Sequence, residues 1–138
     1  MTEPILYILM RSDLDSLNPG KGMAQASHAT SILHEEIKSL ENFKKDHPLV
    51  ELFNQWKEDR HFGTCIVLDS GTDLDILERV EFIKNLEGDH YADICEDPTY
   101  PISDGQHTWL VPAITCGFVF TDKAHSKLFG LDKLDLYP

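Results

Sequence analysis

The chain has 138 residues, enough for one ordinary domain and too few for two hydrophobic cores. Its 12 Lys and Arg residues are outnumbered by 24 Asp and Glu residues, so the formal net charge is -12 at pH 7. A composition that is 41% hydrophobic and 26% charged is typical of a folded domain and excludes general disorder. The charge argues against non-specific attraction to nucleic acid or anionic membrane, which needs a cationic surface.

The sequence carries no sign of a membrane segment or of a metal site. It has no run of about 18 apolar residues, and its first residues lack the basic start and apolar core of a signal peptide. Cys65, Cys95 and Cys116 are odd in number and far apart, so we interpret them as reduced core residues. No CxxC or HExxH spacing is present, so no metal or other cofactor is expected. These features predict a cytoplasmic protein without membrane contact.

The first half of the chain predicts one strand and two helices. Residues 5–10 form an unbroken apolar run, typical of a strand buried on both faces. Residues 12–22 are rich in turn-forming Pro and Gly. Residues 23–45 lack Pro and Gly and repeat apolar residues at helical spacing, which predicts a long helix. Asp46 is suited to cap a second helix, whose apolar face carries Leu49, Leu52, Phe53 and Trp56.

The second half predicts three strands and two helices. The predicted strands cover residues 64–68, 90–95 and 114–121. Thr72 and Asp75 resemble a capping box at the start of a third helix, which ends near Gly88. The inward face of that helix is predicted to carry Leu74, Leu77, Val80 and Ile83. A short last helix is predicted over residues 123–129.

The element order is therefore β-α-α-β-α-β-β-α. It predicts one α/β domain over residues 1–138, a three-layer sandwich with a mixed sheet of about four strands. Residues 97–112 do not fit a compact connector, because they contain three prolines and a glycine. Since proline is excluded from helix interiors and central strands, we interpret this segment as a long loop. Loops of this length in small domains are usually functional or mobile.

Gly20, Lys21 and Gly22 stand between the first strand and the long helix. Glycine lets the backbone approach a ligand closely, and the first N–H groups of a helix are unpaired donors. The helix dipole and the charge of Lys21 add positive potential, which suits a phosphate, a carboxylate or a developing oxyanion. The GxxxxGK[ST] frame of a Walker A loop is not matched. A flexible turn with a solvated Lys21 is the alternative.

His28 and two acidic residues are further candidates. His28 lies on the long helix, where an ordinary packing role is the alternative. Ser27 cannot act with it as a nucleophile–base pair, because adjacent helical residues point about 100° apart. Glu96 and Asp97 end a predicted strand, where ligand sites of α/β sheets are often found. Either acid is placed to position a water or the lysine, and a solvated strand-end acid is the alternative.

Part of the sequence resembles the opening motif of archaeal/eukaryotic-type (type II) peptidyl-tRNA hydrolases. The family reads approximately R-x-D-L, then G-K-x-A-A-Q-x-S-H-A. This chain has Arg11-x-Asp13-Leu14, then Gly20-Lys21-x-x-Ala24-Gln25-x-Ser27-His28-Ala29. The resemblance implies an α/β sandwich on a four-stranded mixed sheet. It also implies metal-independent hydrolysis of the ester that joins a peptide to the 3′ ribose of tRNA.

The resemblance also implies individual roles. Lys21 falls on the family's catalytic lysine, and Asp97 stands on the acidic position of the family's D-A-G-R-T-Q-I segment. The Arg and the Thr-Gln pair of that segment are missing here, so the chain resembles a diverged member. The catalytic residues implied are Lys21, Asp97 and His28. The substrate-binding residues implied are Arg11, Gly20, Gly22, Gln25, Ser27, Thr99 and Thr108.

The leading hypothesis is therefore a peptidyl-tRNA hydrolase. Lys21 would stabilise the developing oxyanion, Asp97 would hold the lysine or an attacking water, and His28 would shape the site or assist proton transfer. One alternative is a binding module on the same fold that has lost turnover, and another is a hydrolase of a different acyl ester or amide. We expect tRNA to dock weakly and in a salt-sensitive way on the basic residues of the first half. These are Arg11, Lys21, Lys44, Lys45, Lys57 and Arg60. Whether the chain forms a homodimer is left open.

Overall fold

A computed structural model describes residues 3–59 and 62–138 of the chain. Within these ranges the elements follow the order that the sequence predicts. The strands are β1 (Pro4–Met10), β2 (Thr64–Asp69), β3 (Tyr91–Ser103) and β4 (Thr108–Asp122). The helices are α1 (Pro19–Phe43), α2 (Pro48–Glu58), α3 (Asp73–Lys84) and α4 (Lys123–Leu128), followed by a short 3-10 helix (Leu131–Lys133).

The four strands form one open, mixed sheet in the order β2-β1-β4-β3. β1 pairs in parallel with β2 and antiparallel with β4, and β4 pairs antiparallel with β3. Every residue of β1 is buried, because helices cover both faces of the sheet. The predicted three-layer α/β sandwich is confirmed.

The two faces of the sheet have separate hydrophobic cores. α1 and α2 cover one face, where Leu33 and Phe53 pack around Phe120. α3 and the chain after β4 cover the other, where Ile76 and Val80 pack around Val119. Each such buried side chain contributes roughly 1.5–3 kcal/mol relative to exposure. The α1-covered face is the one that carries the candidate site.

Helix α1 begins at Pro19, four residues before the predicted start at residue 23. Asn18 is its N-cap, and the Asn18 side chain accepts a hydrogen bond from the N–H of Lys21 at 2.9 Å. Pro19 suits the first helical position, because its missing N–H would have no partner there. The predicted turn over residues 12–22 is thus wrong for its last four residues. Gly20, Lys21 and Gly22 belong to the first helical turn.

The cap of α2 also differs from the prediction. His47, not Asp46, is the N-cap, and its Nδ1 accepts a hydrogen bond from the N–H of Leu49 at 3.0 Å. Pro48 again occupies the first helical position. The predicted apolar face of this helix is buried as expected.

The capping box of α3 is confirmed. Thr72 accepts from the N–H of Asp75 at 3.2 Å, and the Asp75 carboxylate accepts from the N–H of Thr72 at 2.9 Å. The inward face is only partly as predicted. Ile76 is buried with Val80 and Ile83, whereas Leu74 is 64% exposed.

The predicted long loop over residues 97–112 is wrong, because β3 and β4 form a hairpin that reaches beyond the rest of the sheet. The prolines are compatible with this hairpin because β3 is an edge strand. Pro112 lies on the outer part of β4, whereas β1 pairs only with residues 116–122 of that strand. The hairpin turns at residues 104–107, where Gly105 has a positive φ of 95°.

The three cysteines are free, as predicted. Cys95 and Cys116 are buried, but Cys65 is exposed and is not a core residue. None of the helices in the described ranges is both long enough and apolar enough to span a membrane.

Candidate functional site

A β-bulge in the hairpin directs two side chains of β4 toward α1. Cys95 pairs with Cys116 and the next residue, Glu96, pairs with Ile114. Thr115 is therefore an extra residue on β4 without a partner on β3. Bulges redirect side chains in this way. As a result, Thr115 and Cys116 both contact helix α1.

A second irregularity lies a few residues farther along the hairpin. Asp97 pairs with Ala113 and Tyr100 pairs with Val111, so two residues of β3 lie opposite one residue of β4. Within this bulge the backbone N–H of Thr99 turns back and donates to Asp97 Oδ1 at 2.9 Å. The bulge therefore places the Asp97 carboxylate on the α1 side of the hairpin.

Gln25 of α1 connects the two bulges. It is only 4% exposed, and its Nε2 donates to Asp97 Oδ2 at 2.9 Å. Its Oε1 accepts from Thr115 Oγ1 at 2.6 Å and, more weakly, from Cys95 Sγ at 4.0 Å. A carboxylate only accepts hydrogen bonds, so the amide nitrogen must point to Asp97 and the amide oxygen to Thr115. The orientation of the Gln25 amide is thereby fixed.

These contacts keep Asp97 ionised. The pKa of the Asp97 carboxyl is lowered chiefly by the hydrogen bond from the N–H of Thr99 and next by the Gln25 amide. Nearby His28, when it is protonated, lowers this pKa further. The sequence left Glu96 and Asp97 as alternatives for the acidic position. Asp97 contacts α1, whereas Glu96 is exposed and lines a groove with Arg11.

Lys21 lies against an aromatic ring at the same edge of the hairpin. Its ammonium is 5.3 Å from the ring centroid of Tyr100, a distance typical of a cation–π interaction. Tyr100 is fully buried, and its hydroxyl is hydrogen-bonded to Ser16 Oγ at 3.0 Å. No ion pair joins Lys21 to Asp97 in the part of the chain that the structure describes. The role expected for Asp97, toward the lysine or toward an attacking water, stays a prediction.

The glycines of the motif do not form an anion cradle. The N–H of Lys21 donates to Asn18 Oδ1, and the N–H of Gly22 donates to the backbone oxygen of Asn18 at 2.8 Å. Gly22 is buried, and a Cβ there would lie 3.6 Å from the ring of Tyr137. Gly20 is exposed, and its N–H has no partner within residues 3–59 and 62–138. The positive charge at this end of α1 therefore comes mainly from the side chain of Lys21.

Arg11 forms hydrogen bonds to the backbone of the first bulge, so its donors are directed to the protein and not to a ligand. Its backbone N–H donates to the Thr115 carbonyl at 3.2 Å, and its Nη1 donates to the Ile114 carbonyl at 3.1 Å. Its Nε donates to Asp13 at 2.5 Å, which raises the pKa of Arg11 and lowers that of Asp13. The Arg11 side chain is only 13% exposed. The substrate-binding role expected for Arg11 is not what these contacts favour.

Two other expected residues lie away from Lys21 and Asp97. Ser27 is exposed on α1 about 100° around the helix from His28. Thr108 pairs with Ser103 beside the hairpin turn. It is five residues from the partner of Asp97 on β4, or roughly 17 Å along the strand.

The structure thus brings together five of the expected residues: Lys21, Gln25, His28, Asp97 and Thr99. Three of them, Lys21, Gln25 and His28, lie on α1 at positions i, i+4 and i+7, which share one face of a helix. It adds Tyr100 and Thr115, which the sequence patterns do not predict as site residues. The signals available were a threonine inside an apolar strand and a tyrosine between two prolines. Their directions depend on bulges that only the strand pairing defines.

The basic residues of the first half do not form one patch around this site. Lys44 and Lys45 follow the far end of α1, about 35 Å from Lys21 along the helix axis. The ammonium of Lys57 lies 5.7 Å from the ring of Phe53 on α2. Arg60 lies outside the described residues. Of the basic residues placed here, Lys21 is therefore the one beside Tyr100 at the candidate site.

The site offers an ammonium group, a fixed carboxylate and an imidazole on one surface. Among the residues that the structure describes, no three His, Cys, Asp or Glu side chains are grouped so that they could hold a metal ion. Neither a protein-family model nor a curated protein sequence matches this chain.

Proposed function

We propose that the chain hydrolyses the ester bond of peptidyl-tRNA, as a diverged relative of the type II peptidyl-tRNA hydrolases. One observation carries the proposal. Lys21 and His28 lie on the same face of α1 as Gln25, and Gln25 binds Asp97 directly at 2.9 Å. The three catalytic roles implied by the sequence resemblance thus fall on side chains that share one surface.

In the proposed reaction, Lys21 lies beside the ester carbonyl. Attack by water converts this carbonyl into a tetrahedral oxyanion, and a fixed cation stabilises that charge more than it stabilises the neutral substrate. The ring of Tyr100 limits the positions open to the ammonium group. The Lys21 side chain therefore loses less conformational entropy when the transition state forms.

In the proposed reaction, Asp97 orients the attacking water and His28 accepts a proton from it. Asp97 Oδ1 accepts hydrogen bonds from the N–H and the hydroxyl of Thr99, whereas Oδ2 accepts only from Gln25 and keeps a further lone pair for a water O–H. With its pKa lowered, Asp97 orients the water better than it removes a proton. His28 is the partner that accepts the proton. It then returns the proton to the 3′ oxygen of the ribose as the C–O bond breaks, which releases a peptide acid and tRNA.

The outer hairpin extends the proposed binding surface. Ile102 and Trp109 form a cross-strand pair, and they are 38% and 50% exposed. The pairing from Tyr100 outward is regular, so both side chains lie on the same face as Tyr100. Unpaired bases stack on exposed aromatic side chains, with about 1–3 kcal/mol per base. Trp109 is therefore the proposed contact for the single-stranded 3′ end of tRNA.

A second candidate is a binding module that has lost turnover. It is favoured by the N–H groups of Lys21 and Gly22, which already donate to Asn18 and so are not open to a substrate oxyanion. The net charge of -12 also favours a partner other than RNA.

The test is release of free tRNA from purified peptidyl-tRNA. We expect the wild-type chain to release tRNA and Lys21→Ala to lose most of this activity while its thermal unfolding is unchanged. Lys38→Ala is the matched control, since Lys38 is exposed on the same helix. No release by folded wild-type protein at high concentration would reject the hydrolase and favour the binding module. Cleavage of small model esters without release of tRNA would indicate a hydrolase of another acyl ester.

A further inference from the structure

Two buried thiols lie directly beneath the candidate site. Cys95 and Cys116 are cross-strand partners on β3 and β4, with 3% and 0% exposure. Directly opposed residues of antiparallel strands have Cα atoms about 4.5–5.5 Å apart. A disulfide requires about 4.4–6.8 Å, so the backbone already has a suitable separation.

Both thiols contact the residue that fixes Asp97. Cys95 Sγ lies 4.0 Å from Gln25 Oε1, and Cys116 Sγ lies 3.6 Å from the backbone oxygen of Gln25. The thiols also interact with each other. The hydrogen bond from Cys116 lowers the pKa of Cys95, whereas the same interaction and, next, burial raise the pKa of Cys116. Cys95 is therefore the better nucleophile of the two.

We propose that Cys95 and Cys116 are a redox modification site, in which a disulfide forms on exposure to a hydroperoxide and loosens the link between Gln25 and Asp97. The pairing of the strands and the contacts with Gln25 carry this inference. Its effect on turnover rests on the proposed function, but the chemistry of the thiols does not.

The oxidation proceeds in two balanced steps. The Cys95 thiolate attacks one oxygen of hydrogen peroxide, the O–O bond breaks, and the departing hydroxide takes a proton to become water. Cys95 is then a sulfenic acid. The sulfur of Cys116 attacks the Cys95 sulfur, and the sulfenic oxygen leaves as a second water with the remaining proton. The two sulfur atoms have together lost two electrons to the peroxide.

The disulfide changes the surroundings of Gln25. Drawing the sulfurs to about 2.05 Å removes the Cys95 S–H donor from Gln25 Oε1 and the Cys116 S–H donor from the Gln25 backbone oxygen. The Gln25 amide then has Thr115 as its remaining anchor. A less firmly held amide is a poorer donor to Asp97, so we expect the pKa of Asp97 to rise on oxidation.

The experiment uses the Cys65→Ser chain, so that the buried pair supplies every thiol. After treatment with hydrogen peroxide, we expect a mass lower by two hydrogen atoms and the loss of both alkylatable thiols under denaturing conditions. Dithiothreitol should restore both. Cys95→Ala and Cys116→Ala in the same background should not lose this mass. Thiols that remain fully alkylatable after the treatment, or a sulfinic acid in place of the disulfide, would overturn the proposal.

A second measurement tests the coupling to the site without any assay of catalysis. The Asp97 carboxyl is titrated by NMR in the reduced and oxidised chain. A higher pKa after oxidation is the expected result, and an unchanged pKa would overturn the coupling. If the reduced chain releases no tRNA while the disulfide forms and the pKa rises, the proposed function fails and the redox site stands. If the reduced chain is active, its tRNA release should fall on oxidation and return with dithiothreitol.

Discussion

Thr115 donates a hydrogen bond of 2.6 Å to the side-chain oxygen of Gln25, although 90 positions separate the two residues in the chain. Thr115 is fully buried and is the extra residue of a β-bulge. Gln25 in turn donates to Asp97. The position of the acidic group in the site thus depends on a residue that a regular strand would not direct toward α1.

Thr115→Val should impair the site without touching substrate. It removes the hydroxyl that anchors Gln25, so the amide is held less firmly against Asp97 and the pKa of Asp97 rises. We expect the acid limb of the pH–rate profile to move to higher pH. Leaving the Gln25 oxygen without its main donor should also cost about 1–3 kcal/mol of stability. Thr115→Ser keeps the hydroxyl and should restore the profile. A serine variant that behaves like the valine variant would contradict this role.

Gln25→Leu should reduce stability in a pH-dependent way. Because the folded pKa of Asp97 is lowered, its interactions stabilise the fold above the unfolded pKa, and this stability is lost as pH falls through the folded pKa. The difference in unfolding free energy between wild type and Gln25→Leu should therefore be larger at neutral pH than below about pH 4. Denaturant unfolding at several pH values measures it. Gln106→Leu, at the exposed hairpin turn, should show no such dependence. A difference that is constant with pH would exclude the link to Asp97.

Tyr100 should act through its ring and not through its hydroxyl. Tyr100→Phe keeps the ring 5.3 Å from the Lys21 ammonium and loses only the bond to Ser16. We expect it to retain most of the hydrolytic activity. Tyr100→Leu removes the aromatic surface, frees the lysine and should lower kcat by more than it changes KM. Steady-state kinetics of both variants, beside thermal unfolding curves, decide this. Equal losses of kcat in the two variants would refute a role for the ring.

Trp109→Ala should weaken binding without affecting the chemical step. Trp109 lies beyond Tyr100 on the hairpin, so its removal should raise KM for peptidyl-tRNA about 5- to 150-fold, the loss of one stacked base, with kcat preserved. Trp109→Phe should recover most of the affinity. Leu110→Ala is the matched control, since Leu110 is 65% exposed on the opposite face of the same strand. If Leu110→Ala raised KM as much as Trp109→Ala, the proposal that a base stacks specifically on Trp109 would be refuted.

Sequence patterns predicted the element order because apolar periodicity is a local property. They misplaced the start of α1, because Pro19, Gly20 and Gly22 are typical turn residues. In the structure these residues form the first turn of the helix, which Asn18 caps. They also misassigned the hairpin. Proline is excluded from a central strand, but the edge strand β3 and the outer part of β4 both accept it. The prediction lacked the position of these strands in the sheet, which is set by long-range pairing.

The candidate site, like the fold, could be predicted from the sequence only where it depends on local patterns. Helical spacing alone places Lys21, Gln25 and His28 on one face of α1. The approach of Asp97 to that face followed only from the sequence resemblance and its place at a strand end. The sequence could not predict that Thr115 and Cys116 both contact α1, because strict alternation along β4 would put neighbouring residues on opposite faces of the sheet. The bulge that overrides this alternation arises from the pairing of two distant segments.

The two bulges have a joint consequence for how this hairpin tolerates insertion and deletion. The first adds one residue to β4 and the second adds one to β3, so the pairing from Tyr100 outward returns to the register that Cys95 has with Cys116. Deleting the extra residue of one bulge would leave Trp109 on its present face, because the two residues of a bulge already share a face. Losing both would leave Trp109 where it is and remove the local geometry that orients Asp97. A deletion at either bulge therefore removes a contact of the site and leaves Trp109 in place, and a relative of this chain that preserves the site must keep both extra residues.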